Sequence, residues 1–188
     1  MLNFSVKAFF RAPPGPPATD AAIAVFHGWI RDAKITDDVL IDVADYGHVK
    51  DGPGVLLVCH EGHYVIDHRG GRPGLAYHRK RGPAGTTATS GFVVALGRLW
   101  HAAELLAGEP TLAGSFAFDK TTLCVRVLDR LRAPNDDAGF AEMNAALADG
   151  LRERFGALDL AIERDVLDPR DVLTAWIRTK GTAELPLP

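Results

Sequence analysis

The stretch CHEGHYVIDH, residues 59–68, places three histidines, a cysteine, a glutamate and an aspartate in ten positions. Side chains this dense in imidazole and carboxylate suit two chemistries. His60, His63 and His68, with Glu61, are the candidate metal ligands, and zinc is the ion that imidazole suits. Alternatively His60, Glu61 and His63 are the candidate catalytic groups of a hydrolase-type acid–base site. The local pattern favours neither. HEGH is not the HExxH signature, whose two histidines share one helix face, and Gly62 with its β-branched neighbours opposes a helix. On a strand, Cys59 and His60 point to opposite faces and cannot form a nucleophile–base pair.

The turn decides the metal question. A two-residue loop at Glu61–Gly62 sets His60 opposite His63, but it needs a positive φ at Glu61, a cost of about 1 kcal/mol. A three-residue loop uses Gly62 for the left-handed position, opposes Cys59 to His63 and sends His60 to the other face. The residues suit the second better, so no metal and no cofactor is expected. Five of the seven histidines (His48, His60, His63, His68 and His78) nevertheless fall in this part of the chain.

The next stretch, HRGGRPGLAYHRKRGPAGTTATSG, carries Arg69, Arg72, Arg79, Lys80 and Arg81 without one acidic residue. It runs into a Gly/Thr-rich loop and the start of a helix, whose free N–H groups and dipole favour an anion. Thr86, Thr87 and Ser90 could add hydroxyl donors. The expected ligand site is therefore Arg69, Arg72, Arg79, Lys80, Arg81, Thr86, Thr87 and Ser90, taking a small anionic ligand or an acidic protein partner. The bland alternative is a solvated basic strand beside a Thr or Ser helix cap. The P-loop lysine is missing, and there is no GxGxxG, GxSxG elbow, kinase set or EF-hand loop. Tyr64 and Tyr77 could stack bases, but a net charge of −3 argues against a general nucleic-acid binder.

Other polar residues read as structural. Asp42 and Asp45 lie on opposite faces of one strand. Asp129, Arg130, Arg132 and Asn135 fit a salt-bridged turn and a helix cap. Cys124 reads as a small core residue, and His27, Trp29, Trp100 and Trp176 as packing groups.

The elements that must position these residues follow from periodicity and punctuation. NFSVKAFF reads as a first strand. The Pro/Gly loop at 13–17 reads as a stiff connector, with a polyproline ligand as the alternative. Thr19 or Asp20 then caps a helix with Ile23, Phe26 and Ile30 on one face. DVLIDVADY, VLLVCH, HYVIDHR and LAYHRKR form an antiparallel meander. Residues 90–107 form a second helix, striped by Phe92, Leu96, Leu99, Ala103 and Leu106 and stopped at Gly108. SFAF and TLCVRVL flank DKT as a hairpin. Asn135 or Asp136 caps a third helix that buries Phe140, Met143, Leu147, Leu151 and Phe155 and ends at Gly156. LDLAIERDV is a strand. DVLTAWIRT is open between helix and strand, with Val, Thr, Trp and Ile favouring strand.

The expected fold is one α+β domain over residues 1–188: a mostly antiparallel sheet, with a four-strand meander in the first half, hairpins in the second, and about three amphipathic helices packed on it. At 188 residues and 47% hydrophobic content the chain can bury a sizeable core without staples. Cys59 and Cys124 form no spaced motif, no apolar run is long enough for a membrane span, and the first residues do not read as a signal peptide, so a reduced cytoplasmic setting is expected. The leading functional expectation is a non-enzymatic module that binds through the basic meander. A hydrolase-type enzyme using the 59–68 hairpin, and a structural homo-oligomer joined through sheet edges, are the alternatives.

Overall fold

The computed structural model describes residues 3–12, 16–50, 52–112, 114–166, 168 and 170–188, with Pro16 and Pro17 by backbone alone. The connector at 13–15 lies outside the described residues. Eight strands form one antiparallel sheet: β1 Phe4–Phe10, β2 Leu40–Asp45, β3 Val55–Cys59, β4 Gly62–Asp67, β5 Gly74–Arg79, β6 Phe118–Val127, β7 Leu160–Arg164 and β8 Thr174–Thr179. Their order across the sheet is β2-β3-β4-β5-β1-β6-β8-β7. Three helices, α1 Pro16–Arg31, α2 Ala88–Ala107 and α3 Asp137–Phe155, pack on it. This is the expected α+β architecture.

Strand alternation explains why the helices pack on only one face. Phe4, Val6, Ala8 and Phe10 of β1 join Val55, Leu57, Tyr64, Ile66, Leu75, Tyr77, Leu123, Val125, Ala175 and Ile177 in one apolar cluster with the three helices. Each large side chain removed from water there contributes about 1.5–3 kcal/mol. The alternate residues, Ser5, Lys7 and Phe9 on β1, project to the opposite face, which no helix covers.

The helices begin and end where side chains can satisfy their free backbone groups. Thr87 caps α2, accepting from the Ser90 N–H while Ser90 Oγ accepts from the Thr87 N–H, a reciprocal capping box. The stripe Phe92, Leu96, Leu99, Ala103 and Leu106 is buried as expected. Asp136 caps α3 through the Gly139 N–H, and Gly156 ends it. Met143, Leu147 and Leu151 are buried, while Phe140 and Phe155 are half-buried against the core. α1 departs from expectation. It begins at Pro16, where proline suits a first turn, and its core face is Ala22, Val25, Phe26 and Trp29, with Ile23 and Ile30 at the margins.

The hairpin expected around DKT is absent, because β6 is one continuous strand from Phe118 to Val127. Nothing in Asp119–Thr121 supplies the left-handed residue that a tight turn needs. Asp119 instead accepts from the Thr121 N–H and hydroxyl. A register shift in the pairing with β1 between Ala8 and Phe10 absorbs the irregularity. The ambiguous segment near the C-terminus is strand β8, paired with β6 and β7.

The two halves follow one plan that no sequence repeat betrays. Each is a strand, a helix and a run of antiparallel strands, four in the first half and two in the second, whose last strand returns to pair with the first: β1, α1, β2–β5, then β6, α3, β7–β8. β1 and β6 meet as antiparallel neighbours in the middle. Among the described residues no helix is long and apolar enough to cross a membrane.

Candidate functional site

The histidine stretch does not converge. Val58, not Cys59 or His60, stands opposite His63, so β3 and β4 are joined through His60–Glu61 and neither of the two expected loops forms. The cause lies beyond the turn: the His60 N–H bonds to the Val39 carbonyl, and the Glu61 N–H to Asp38. His60 is exposed. His68 lies against Gly54, beside the pocket that Tyr46 and Val49 also line. Among the described residues, no group of three or more His, Cys, Asp or Glu side chains is arranged to hold a metal ion.

Glu61 has a structural partner. Arg98 on α2 is buried and reaches Glu61 at 2.8 Å, Asp38 at 2.9 Å and Asp37 at 3.4 Å. The arginine lies on the helix side of the sheet, 5.7 Å from the Tyr77 ring centroid. His63 points the other way, so the expected His/Glu pair is split between the two faces. Tyr64 and Tyr77 are buried in contact, with centroids 4.9 Å apart, and offer no free ring to a base. Burial pushes the Tyr64 hydroxyl and the Cys59 thiol upward, the thiol to about 12.

The basic run is also divided. Thr86 donates to the Pro83 carbonyl, and Thr87 and Ser90 are engaged in the capping box. Lys80 donates to the Cys59 carbonyl, and Arg81 is exposed. Arg79 turns under α2. Arg69 and Arg72, at the other end of β5, reach the uncovered face, where they meet residues that the sequence did not single out.

That face is organised as cross-strand rows. One row runs Val58–His63–His78–Ser5–Arg126–Thr174, and the next Leu56–Val65–Ala76–Lys7–Cys124–Trp176–Glu163. Asp67 stands two residues beyond Val65. Between these rows, the segment at 69–72, and Asp165, Asp168, Asp171 and Val172 lies a cleft of about 670 Å³, lined also by Lys7, Phe9, Asp67, Cys124, Arg126, Asn135 and Trp176. Its size is that of a small-molecule site.

The cleft floor is a charged network in the middle of a sheet. Asp67 takes a two-pronged contact from Arg69, Nε to Oδ1 and Nη2 to Oδ2, both at 2.9 Å. Lys7 Nζ lies 3.5 Å from the same carboxylate. Burial opposes the charge on Asp67, but hydrogen bonds from Arg69 and the nearby ammonium outweigh it and hold the carboxyl below its usual range. Burial lowers Lys7, with Asp67 opposing the shift. Arg69 Nη2 is 3.3 Å from His78 Nε2. A guanidinium can only donate, so that imidazole nitrogen accepts. Burial, then the charge of Arg69, depresses His78 to about 4, and it is neutral. Cys124, raised by burial to about 11, is a thiol and not a nucleophilic thiolate.

An aromatic wall flanks this floor. Phe9 and Trp176 stack at 5.7 Å with 18° between planes, and Arg72 lies 4.0 Å over the Phe9 centroid. Trp176 Nε1 donates to Asp165 at 3.1 Å, which fixes the indole. Expected to be a packing group, Trp176 is half-buried at the cleft. Arg126 faces the cleft and makes no hydrogen bond or ion pair among the described residues. Asp165, Asp168 and Asp171 form an acidic rim, where Asp168 is held by Arg170 at 2.8 Å. The arrangement can hold an acidic group against the floor and a flat apolar body against the wall.

Comparison with protein-family models, with curated proteins and with solved structures finds no match to this chain.

Proposed function

We propose that this protein is a binding module whose helix-free sheet face takes a small organic anion in the cleft. The acidic group sits against Arg126 and the Lys7–Arg69 side of the cleft floor, and the apolar body against Phe9 and Trp176. The observation that carries this reading is Arg126: a half-buried guanidinium lining the cleft with no ion pair among the described residues, while Lys7 and Arg69 already share the carboxylate of Asp67. A half-buried charge of this kind gains from a charge-assisted, two-pronged contact with a carboxylate or phosphate. The acidic rim orients the ligand, repelling a second negative charge from the outer end. In this reading Arg69 and Arg72 belong to the ligand site. The rest of the basic run has other duties.

The test is a thermal-shift and calorimetric screen of organic carboxylates. A ligand that stabilises the wild type should bind Arg126→Gln at least tenfold more weakly and Arg79→Met unchanged. If no organic anion stabilises the chain, or Arg126→Gln binds as the wild type does, the reading is wrong.

A further inference from the structure

Arg79 poses a separate problem on the other side of the sheet. It ends β5, faces the helix layer with Leu75 and Tyr77, and is only 2% exposed. Its Nε and Nη1 are buried with no hydrogen-bond partner among the described residues. A lysine there could shed its proton, whereas an arginine keeps its charge, and an unpaired buried charge costs several kcal/mol. The guanidinium is wedged between two glycines. A Cβ at Gly82 would lie 1.6 Å from Nη2, and one at Gly91 would lie 2.9 Å from Nη1. Gly91 belongs to the first turn of α2, so this cation presses on the positive end of the helix dipole.

The helix start is itself short of acceptors. The capping box serves the Ser90 N–H, and Gly91 bonds back to the Thr87 carbonyl. The Ala88 and Thr89 N–H groups have no acceptor among the described residues. Two electropositive features that repel each other thus share one place. We propose that Arg79 and the first turn of α2 form a binding site for a small oxyanion of the phosphate class, roofed by the 80–87 loop and distinct from the cleft. Because the hydroxyls of Thr86, Thr87 and Ser90 are already engaged, recognition falls to the guanidinium and the backbone N–H groups. That favours a compact, multiply charged anion over a carboxylate on a large body.

The experiment titrates inorganic phosphate into the whole chain against chloride at fixed ionic strength, reading Tm and heat of binding. Phosphate should stabilise the wild type saturably and Arg126→Gln equally, with no effect on Arg79→Met. In phosphate-free buffer Arg79→Met should melt at or above the wild type, because it removes an unpaired charge, and phosphate should reverse that order. If Arg79→Met does not fold, Arg79→Lys, which keeps the charge but not the planar fork, should bind phosphate at least tenfold more weakly. Absence of phosphate-dependent stabilisation, or its persistence in the Arg79 variant that folds, overturns the site. Loss of the effect in Arg126→Gln alone places phosphate in the cleft, which also overturns this site while leaving the cleft reading standing.

Discussion

Glu61 carries its carboxylate to Arg98 rather than to a histidine, and the local cost of that choice is measurable. Asp38, whose side chain is 1% exposed, depends on the same arginine. Arg98→Met should therefore destabilise the fold by about 3–5 kcal/mol in chemical denaturation, since it strands a buried carboxylate. Lys7 is the opposite case. Asp67 keeps its two-pronged contact with Arg69 when Lys7 becomes Met, and burial already disfavours the ammonium. Lys7→Met should leave Tm unchanged or raised while weakening the cleft ligand about tenfold. His78 gives a pH signature. Its native value of about 4 lies below the ordinary 6.5 of an unfolded histidine, so the unfolded chain binds the extra proton between those values. The stability it contributes is complete above pH 6.5 and declines by about 1.4 kcal/mol per pH unit as pH falls towards 4. Urea melts from pH 7 to 4 should show this slope reduced by one proton in His78→Gln. The groups facing it, Arg69, Asp67, His63 and Arg126, remain in both proteins.

Elements show how far local pattern reaches. The meander β2–β5, the caps and stops of α2 and α3, and the strand character of β8 are all written in short-range signals: alternation, Thr and Asp before a helix, Gly after it. The β3–β4 turn is not, because Val39 and Asp38 hold its backbone from residues more than twenty positions upstream. β6 looked like a hairpin because Asp119 and Thr121 are common turn residues, yet pairing with β1 on one side and β8 on the other keeps the chain extended. The face of α1 centres on Trp29, whose indole donates to Glu109 far along the chain, so Ile23 and Ile30 sit at its margins. One glycine in the hairpin has a steric duty. A Cβ at Gly62 would lie 2.4 Å from the buried Tyr77 ring, so Gly62→Ala should cost about 1–3 kcal/mol through overpacking, read as a lowered denaturation midpoint with an unchanged m-value.

At the scale of the whole molecule, three helices pack on one side of eight strands and the proposed ligand face is the other side. The rows on that side depend on register between strands far apart in sequence: Lys7 meets Cys124 across β1–β6, and Ser5 meets His78 across β1–β5. No local pattern encodes such pairs, which is why Arg69 and Arg72 could be singled out from the sequence while Lys7, Arg126 and Trp176 could not. One sequence signal was present. Lys7 in NFSVKAFF and Arg126 in TLCVRVL are lone cations inside otherwise apolar strands, and a charge held in mid-strand needs a partner or a ligand. Anion binding at this face has a built-in reporter, since Trp29 and Trp100 are buried in the helix layer and Trp176 lines the cleft. Fluorescence titration with an anion selected by thermal shift should give a saturable change that disappears in Trp176→Phe and shifts at least tenfold to weaker binding in Arg126→Gln. Calorimetric binding of that anion with no change in Trp176 emission, or at undiminished strength in Arg126→Gln, would contradict the claim.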